Sequence, residues 1–287
     1  MNSPPTSARL PDYLAVSREQ LGQGCPVRVR IGGDQQQVAQ QLAETMFDEI
    51  RAVQRAGRAP TLIVPVGPVD QFPLLAERIN AARLDCRDVL LINMDEYLDD
   101  DDCWLPLAHP LSFRGFMNRK FYDLLDPALA PRPEHRVFPD PREPEAIGRL
   151  IAARGGVDVC FGGIGINGHL AFNEPPEPGQ TLSVAEFADL PTRCLDLARE
   201  TRTINSVTVG GDIAIIPRRA VTVGMREILA ARRLRFCCNR PWQRAVVRRA
   251  LHGPLTPAFP ASLLRLHADA ELLVADYVAE PPEIQLR

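Results

Sequence analysis

The chain has 287 residues, 45% of them hydrophobic and 24% charged, with a net charge of −3. That is enough apolar sequence to bury one large core or two small ones, and too little positive charge for a polybasic nucleic-acid or membrane-surface protein. Lysine and arginine together number 33, and only Lys120 is a lysine. Schiff-base or pyridoxal-phosphate chemistry would therefore rest on that one residue. A P-loop is excluded, because Phe121 follows Lys120 where Ser or Thr is needed.

Residues 1–26 read as a loose N-terminal arm. Pro4, Pro5 and Pro11 interrupt them and they carry no apolar signal-peptide core. Residues 27–287 read as a single domain. From there the pattern alternates. Asp34 is placed to cap a helix running to Arg55, with Val38, Leu42, Met46, Ile50 and Val53 at helical spacing. Buried strands are expected at Thr61–Val66, Asp88–Met94 and Val157–Phe161, and further strands at Ala220–Val223, Leu234–Cys238 and Glu271–Ala275. Helices are expected at Asp70–Asn80, Leu111–Leu125, Glu143–Ala153 and Pro241–Leu251. Continuous apolar strands alternating with amphipathic helices specify an α/β fold, a doubly wound and mainly parallel sheet with helices on both faces. No apolar run approaches the roughly 18 residues of a membrane span. Seven cysteines, an odd number with no CxxC pair, argue against structural zinc and for a reduced, cytoplasmic protein.

Active sites in such folds gather at the carboxyl ends of strands. After the second buried strand come Asp95 and Glu96, placed at a hand-over from strand to loop where a general base belongs. The acidic run Asp99–Asp102 behind them reads as a solvated loop, since adjacent carboxylates repel. After the third strand comes Gly162-Gly163-Ile164-Gly165-Ile166-Asn167-Gly168-His169-Leu170-Ala171-Phe172-Asn173-Glu174-Pro175. Gly163 to Gly168 fits GxGxxG, but Pro175, Pro176 and Pro178 forbid the helix a dinucleotide pyrophosphate requires. The glycines instead bring the backbone close to another ligand. His169 can pass protons near neutral pH, with Glu174 to orient it.

These segments resemble the glucosamine-6-phosphate deaminase (isomerase) family, relatives of 6-phosphogluconolactonase. Met94-Asp95-Glu96-Tyr97 is similar to its MDEY motif, and Gly163 to Pro175 to its GxGxxGHIAFNEP motif. His109 to Phe113, Phe116 to Arg119, Thr201-Arg202 with Asn205-Ser206, and Ala220 to Gly224 also have counterparts, in order, between about residues 28 and 276. The resemblance implies ring opening of an amino sugar, proton transfer from C2 to C1, and release of ammonia. It implies Asp95 as the base, His169 as the ring-opening group, and Glu174 and Asn167 as its supports. Asn167 stands where some relatives carry Asp, and it holds the imidazole by a hydrogen bond without supplying charge. Gly67, Glu96, Gly165, Gly168, Ala171, Val207, Gln243 and Arg244 fall at positions implied to bind substrate.

The departures cluster on phosphate binding. The family's phosphate loop corresponds to Val64-Pro65-Val66-Gly67-Pro68-Val69-Asp70, where Val66 and Val69 replace hydroxyls, Pro68 has no N–H, and Asp70 adds negative charge. Val207 occupies the position of an arginine, and Gln243 that of a lysine. Arg244 and Arg240 are left as partial substitutes. The expectation is an amino sugar or related sugar that lacks the 6-phosphate or carries a different substituent there. Alternatives are a non-catalytic sugar-binding regulator on the same fold, or a sugar lactonase. No metal or organic cofactor, nucleic acid or membrane is implied, and relatives range from monomers to homo-oligomers.

Overall fold

The computed structural model describes residues 10–67 and 70–284. In chain order the elements are β1 (Arg28–Ile31), α1 (Gln35–Arg55), β2 (Thr61–Val64), α2 (Gln71–Ala82), β3 (Leu90–Asn93) and β4 (Asp95–Leu98). Then follow α3 (Phe113–Lys120), β5 (Arg136–Val137), α4 (Ala146–Ala153), β6 (Val159–Gly163), α5 (Val184–Ala188), β7 (Arg193–Asp196) and α6 (Arg199–Asn205). The chain closes with β8 (Arg219–Thr222), α7 (Met225–Leu229), β9 (Leu234–Cys238), α8 (Gln243–His252), β10 (Ala270–Val274) and α9 (Asp276–Ala279).

Among the described residues, seven strands form a parallel sheet in the order β1-β10-β9-β6-β2-β3-β5. Every residue of β2 and β3 is buried, which is why both read as uninterrupted apolar runs. Helix α1 starts where Asp34 predicted. Asp34 accepts from the Gln37 backbone N–H, and the Gln37 side chain accepts from the Asp34 N–H, a closed capping box. Its buried stripe is Val38, Leu42, Met46, Ile50 and Val53, as the periodicity requires.

Two features differ from the sequence reading. Asp95 and Glu96 do not lead into a loop. They open β4, which pairs antiparallel with β8, and β8 with β7, in a second three-stranded sheet. The strand expected at Ala220–Val223 therefore belongs to this small sheet. Strand β4 was hidden because Asp95, Glu96 and Tyr97 are polar yet entirely buried, so neither alternation nor an apolar run announced it. The long helix expected from Leu111 ends at Lys120, and Tyr122–Leu124 continues as a 3₁₀ turn.

The described part of the segment read as a loose arm makes specific contacts with the rest of the chain. Arg18 pairs with Asp276 and Glu280, and Leu21 is buried. Arg248, fully buried, donates from Nε to the Val16 carbonyl (2.7 Å) and from Nη2 to the Ala279 carbonyl (2.6 Å), tying the N-terminal segment to α9 through α8. Arg248→Met keeps the volume and removes these donors, leaving buried carbonyls unpaired. We expect a stability loss of about 2–4 kcal/mol. Calorimetry should show a Tm lower by roughly 5–10 °C, and a change under about 2 °C would remove the clamp from the account.

Cys237 and Cys238 are buried, with thiol pKa values raised by desolvation, in keeping with packing as small hydrophobes. Among the described residues no helix is long and apolar enough to cross a membrane. No group of three or more His, Cys, Asp or Glu residues there is arranged to hold a metal ion. In the acidic run Asp99 accepts the backbone N–H groups of Asp101 and Cys103, and Asp102 pairs with Arg219.

Candidate active site

The site forms where the carboxyl edge of the large sheet meets the small one. Strand β6 ends at Gly163 and releases the loop to Glu174. Two hydrogen bonds pin that loop to the end of β8: the Phe172 N–H donates to Thr222 Oγ1 (3.0 Å), and Asn173 Nδ2 donates to the Val223 carbonyl (2.8 Å). Asp95 is the register partner of Thr222, and the Val223 N–H donates to the Met94 carbonyl (2.7 Å). The same short stretch of β8 thus holds the histidine loop and the aspartate strand together.

Within the loop, Asn167 Nδ2 donates to Glu174 Oε2 (2.7 Å), and Asn167 Oδ1 lies 2.8 Å from His169 Nδ1. Because the amide nitrogen is spent on Glu174, its oxygen faces the ring, so Nδ1 carries the proton. Thr201 Oγ1, 3.1 Å from Nδ1, then accepts a share of that hydrogen. Nε2, which makes no hydrogen bond among the described residues, is left as the basic nitrogen. Glu174 Oε2 is 3.4 Å from Nδ1. Burial pushes the Glu174 carboxyl upward, but hydrogen bonds and charge from His169, with help from Asn167 and Thr201, outweigh it and hold the group below the usual range. The Glu174 carboxylate thus lies behind the ring, linked to it through the Asn167 amide.

The glycines are spacers for this relay. A Cβ on Gly165 would stand 2.1 Å from the His169 ring, and one on Gly168, at φ +87°, 2.6 Å from the Phe259 ring. Ala171 takes φ +53°, a left-handed turn that non-glycine residues enter only when the surroundings enforce it.

Asp95 is 6% exposed. Desolvation first, and the neighbouring Glu96 charge second, raise its pKa to about 8. Glu96 is fully buried, and both of its carboxylate oxygens are taken up by neighbouring groups of the chain. Its carboxylate accepts the backbone N–H groups of Phe113 and Arg114 (both 2.9 Å) and the Ser112 hydroxyl (3.0 Å). It anchors the N-terminus of α3, where the helix dipole favours an anion. Glu96, expected among the substrate-binding residues, thus has its carboxylate committed to the start of α3.

Other expected binding residues are exposed or have their polar groups committed to the protein itself. Val207 is 69% exposed. Gln243 is buried, its Nε2 donating to the Ile164 carbonyl and its Oε1 accepting the Arg240 N–H. Arg244 turns away, donating from Nε to the Tyr277 carbonyl and pairing with Glu283. Gly67 is exposed, with nothing near the place of a Cβ. Pro68 and Val69 lie outside the described residues.

Sequence reasoning missed several supports. Thr201 was quoted within a motif without a role. Tyr97 receives a hydrogen bond from Asn205 (2.8 Å) and packs on Phe113 and Phe172. Arg193 Nη1 donates to Asn173 Oδ1 (2.7 Å), completing that buried amide. No local pattern signals these contacts, which cross as many as 108 residues.

No family model matches the chain. Among curated proteins it is 30% identical over 260 residues to a glucosamine-6-phosphate deaminase of Porphyromonas gingivalis, covering 88% of this chain and 92% of the other. It is 30% identical over 262 residues to a glucosamine-6-phosphate deaminase of Serratia proteamaculans, with 88% and 91% covered. Among solved structures, a monomeric glucosamine-6-phosphate deaminase superposes with a TM-score of 0.74 at 25% identity, over 88% of this chain and 99% of that one. The 6-phosphogluconolactonase from Trypanosoma cruzi shares the fold, with a TM-score of 0.64 at 14% identity over 88% and 96%. With 30% identity sustained over most of both chains, this protein belongs to the glucosamine-6-phosphate deaminase family.

Proposed function

We propose that this protein is a deaminating aldose–ketose isomerase whose substrate is an amino sugar without a 6-phosphate. The observation that carries the chemistry is the Asn167–His169–Glu174 relay, fastened through β8 to the strand of a buried Asp95. His169, whose Nε2 is free of the Asn167 and Thr201 contacts, takes part in proton transfer at the ring oxygen and opens the sugar. Asp95 removes the proton from C2 of the open aldehyde and returns it to C1 by way of an enolamine, while O1 takes up a second proton matched by the one the C2 ammonium group gives up. The resulting C2 iminium adds water and expels ammonia, leaving a ketose. This apparatus supports an enzyme over a non-catalytic regulator.

Four observations support the missing phosphate. Val207 puts an exposed apolar side chain where the resemblance implied an arginine. The Gln243 amide is spent on backbone groups. The Arg244 guanidinium is committed to the C-terminal segment. Asp70, held by Gln35 Nε2 at 2.7 Å, sets a carboxylate beside the place a phosphate would take. Each charge-assisted hydrogen bond lost to an anion is worth about 1.5–3 kcal/mol. Ammonia release should be measured from glucosamine and from glucosamine 6-phosphate. We expect kcat/KM to favour the unphosphorylated sugar by at least about tenfold. Preference for the phosphorylated sugar would sink the reading.

A further inference from the structure

Gln71 is the first residue of α2, a helix of 12 residues, and it is 1% exposed. Neither its Nε2 nor its Oε1 has a hydrogen-bond partner among the described residues. Buried carboxamides in folded proteins are almost always paired, and an orphaned one calls for an explanation.

Its position supplies that explanation. Gln71, Leu75 and Ile79 are all buried on one stripe of α2, and Leu75 and Ile79 share a core void with Leu62 and Val64 of β2. Gln71 is one helical turn beyond Leu75, toward the helix N-terminus. Because α2 runs back against β2, that turn overhangs the carboxyl edge of the sheet. Strand β2 lies between β6, which carries the His169 loop, and β3, which leads to Asp95. The Val64 carbonyl at the end of β2 accepts the N–H of Met94, the residue before Asp95. On the β6 side, Gln243 holds the carbonyl of Ile164, the first residue of the histidine loop beyond the strand. Gln71 thus sits above the strand that separates the two catalytic groups, next to Asp70 with its fixed carboxylate. A carboxamide offers one acceptor and two donors and no charge, which matches a sugar hydroxyl and not a phosphate.

We infer that Gln71 is a specificity-determining residue, whose carboxamide hydrogen-bonds an uncharged hydroxyl of the sugar at the end away from the reacting carbons. This rests on the reading of an unphosphorylated amino sugar and names the group that selects it. The catalytic groups are not involved, so the effect falls on binding and KM, with kcat little changed.

The test is isothermal titration of the wild type and of Gln71→Leu with glucosamine and with glucosamine 6-phosphate, alongside the Tm of each apo protein. The leucine has similar volume and removes the orphaned polar atoms, so the variant should fold with an equal or higher Tm. It should bind glucosamine at least about tenfold more weakly, because the hydroxyl it accepts is left unpaired. If both proteins bind glucosamine equally, Gln71 is a structural orphan and the inference is wrong, while the proposed substrate class stands. If the wild type binds only glucosamine 6-phosphate, or binds neither sugar, the substrate reading and the inference fall together. Gln71→Glu gives a second check on the same site. Its carboxylate accepts from a hydroxyl, so it should retain more glucosamine affinity than the leucine variant, and a weaker binder than Gln71→Leu would also overturn the inference.

Discussion

Asp95→Asn should reduce turnover by about 10²–10⁴-fold, the usual range for removing a positioned general base. The amide has nearly the same shape, so the fold should persist. The wild-type pH dependence should carry the same signature. A carboxyl raised to about 8 is protonated below that value. The basic form therefore grows with pH, and kcat/KM of the free enzyme should climb through about 8 on its acid side. The linked effect on stability has the opposite sense. The folded pKa lies above the unfolded value of 3.8, so the folded state binds the extra proton. Its contribution is complete below pH 3.8 and is lost as pH rises through about 8. Asp95→Asn cannot ionise and avoids that loss. At pH 8.5 the inactive variant should melt higher than the wild type by at least about 1–2 kcal/mol, or a few degrees. A variant that keeps more than a tenth of the activity would take the base role away from Asp95.

Gly165→Ala should also abolish most activity, by an unrelated route. The new Cβ would stand 2.1 Å from the His169 ring, closer than any real contact. The Gly165 N–H is bonded to the His169 carbonyl at 3.0 Å, so the backbone there has little freedom to retreat. The ring must swing off Asn167 and Thr201, and Nε2 loses its direction. A displacement of that size is worth about 10²-fold in rate. Circular dichroism and Tm should stay near the wild type, because the loop is anchored elsewhere through Asn173. Activity within threefold of the wild type would mean that the ring orientation is not what Gly165 protects.

These two predictions also mark how legible the protein was. Strands β2, β3, β6, β9 and β10 and helix α1 were readable because burial on both faces, or on one helical stripe, leaves an apolar period in the chain. The Asn167, His169 and Glu174 cluster was readable because one eight-residue stretch carries all three. Elements whose identity depends on distant partners were not readable. Strand β4 opens with three polar residues whose partners lie on β8, α3 and α6. Strand β7, in which Arg193 completes Asn173, has no apolar pattern of its own.

The sequence by itself determined the α/β architecture, the family motifs, and the absence of basic side chains at Val207 and Gln243. Tertiary structure alone decided that Glu96 anchors a helix and that Arg244 faces the C-terminal segment. It also decided that Gln71 is buried with no hydrogen-bond partner among the described residues. The physical reason is one of range. Periodicity and turn chemistry act over a few residues and leave a record in local sequence. The partner of a buried charge or amide is chosen by packing among segments a hundred residues apart, and neighbouring residues carry no trace of that choice.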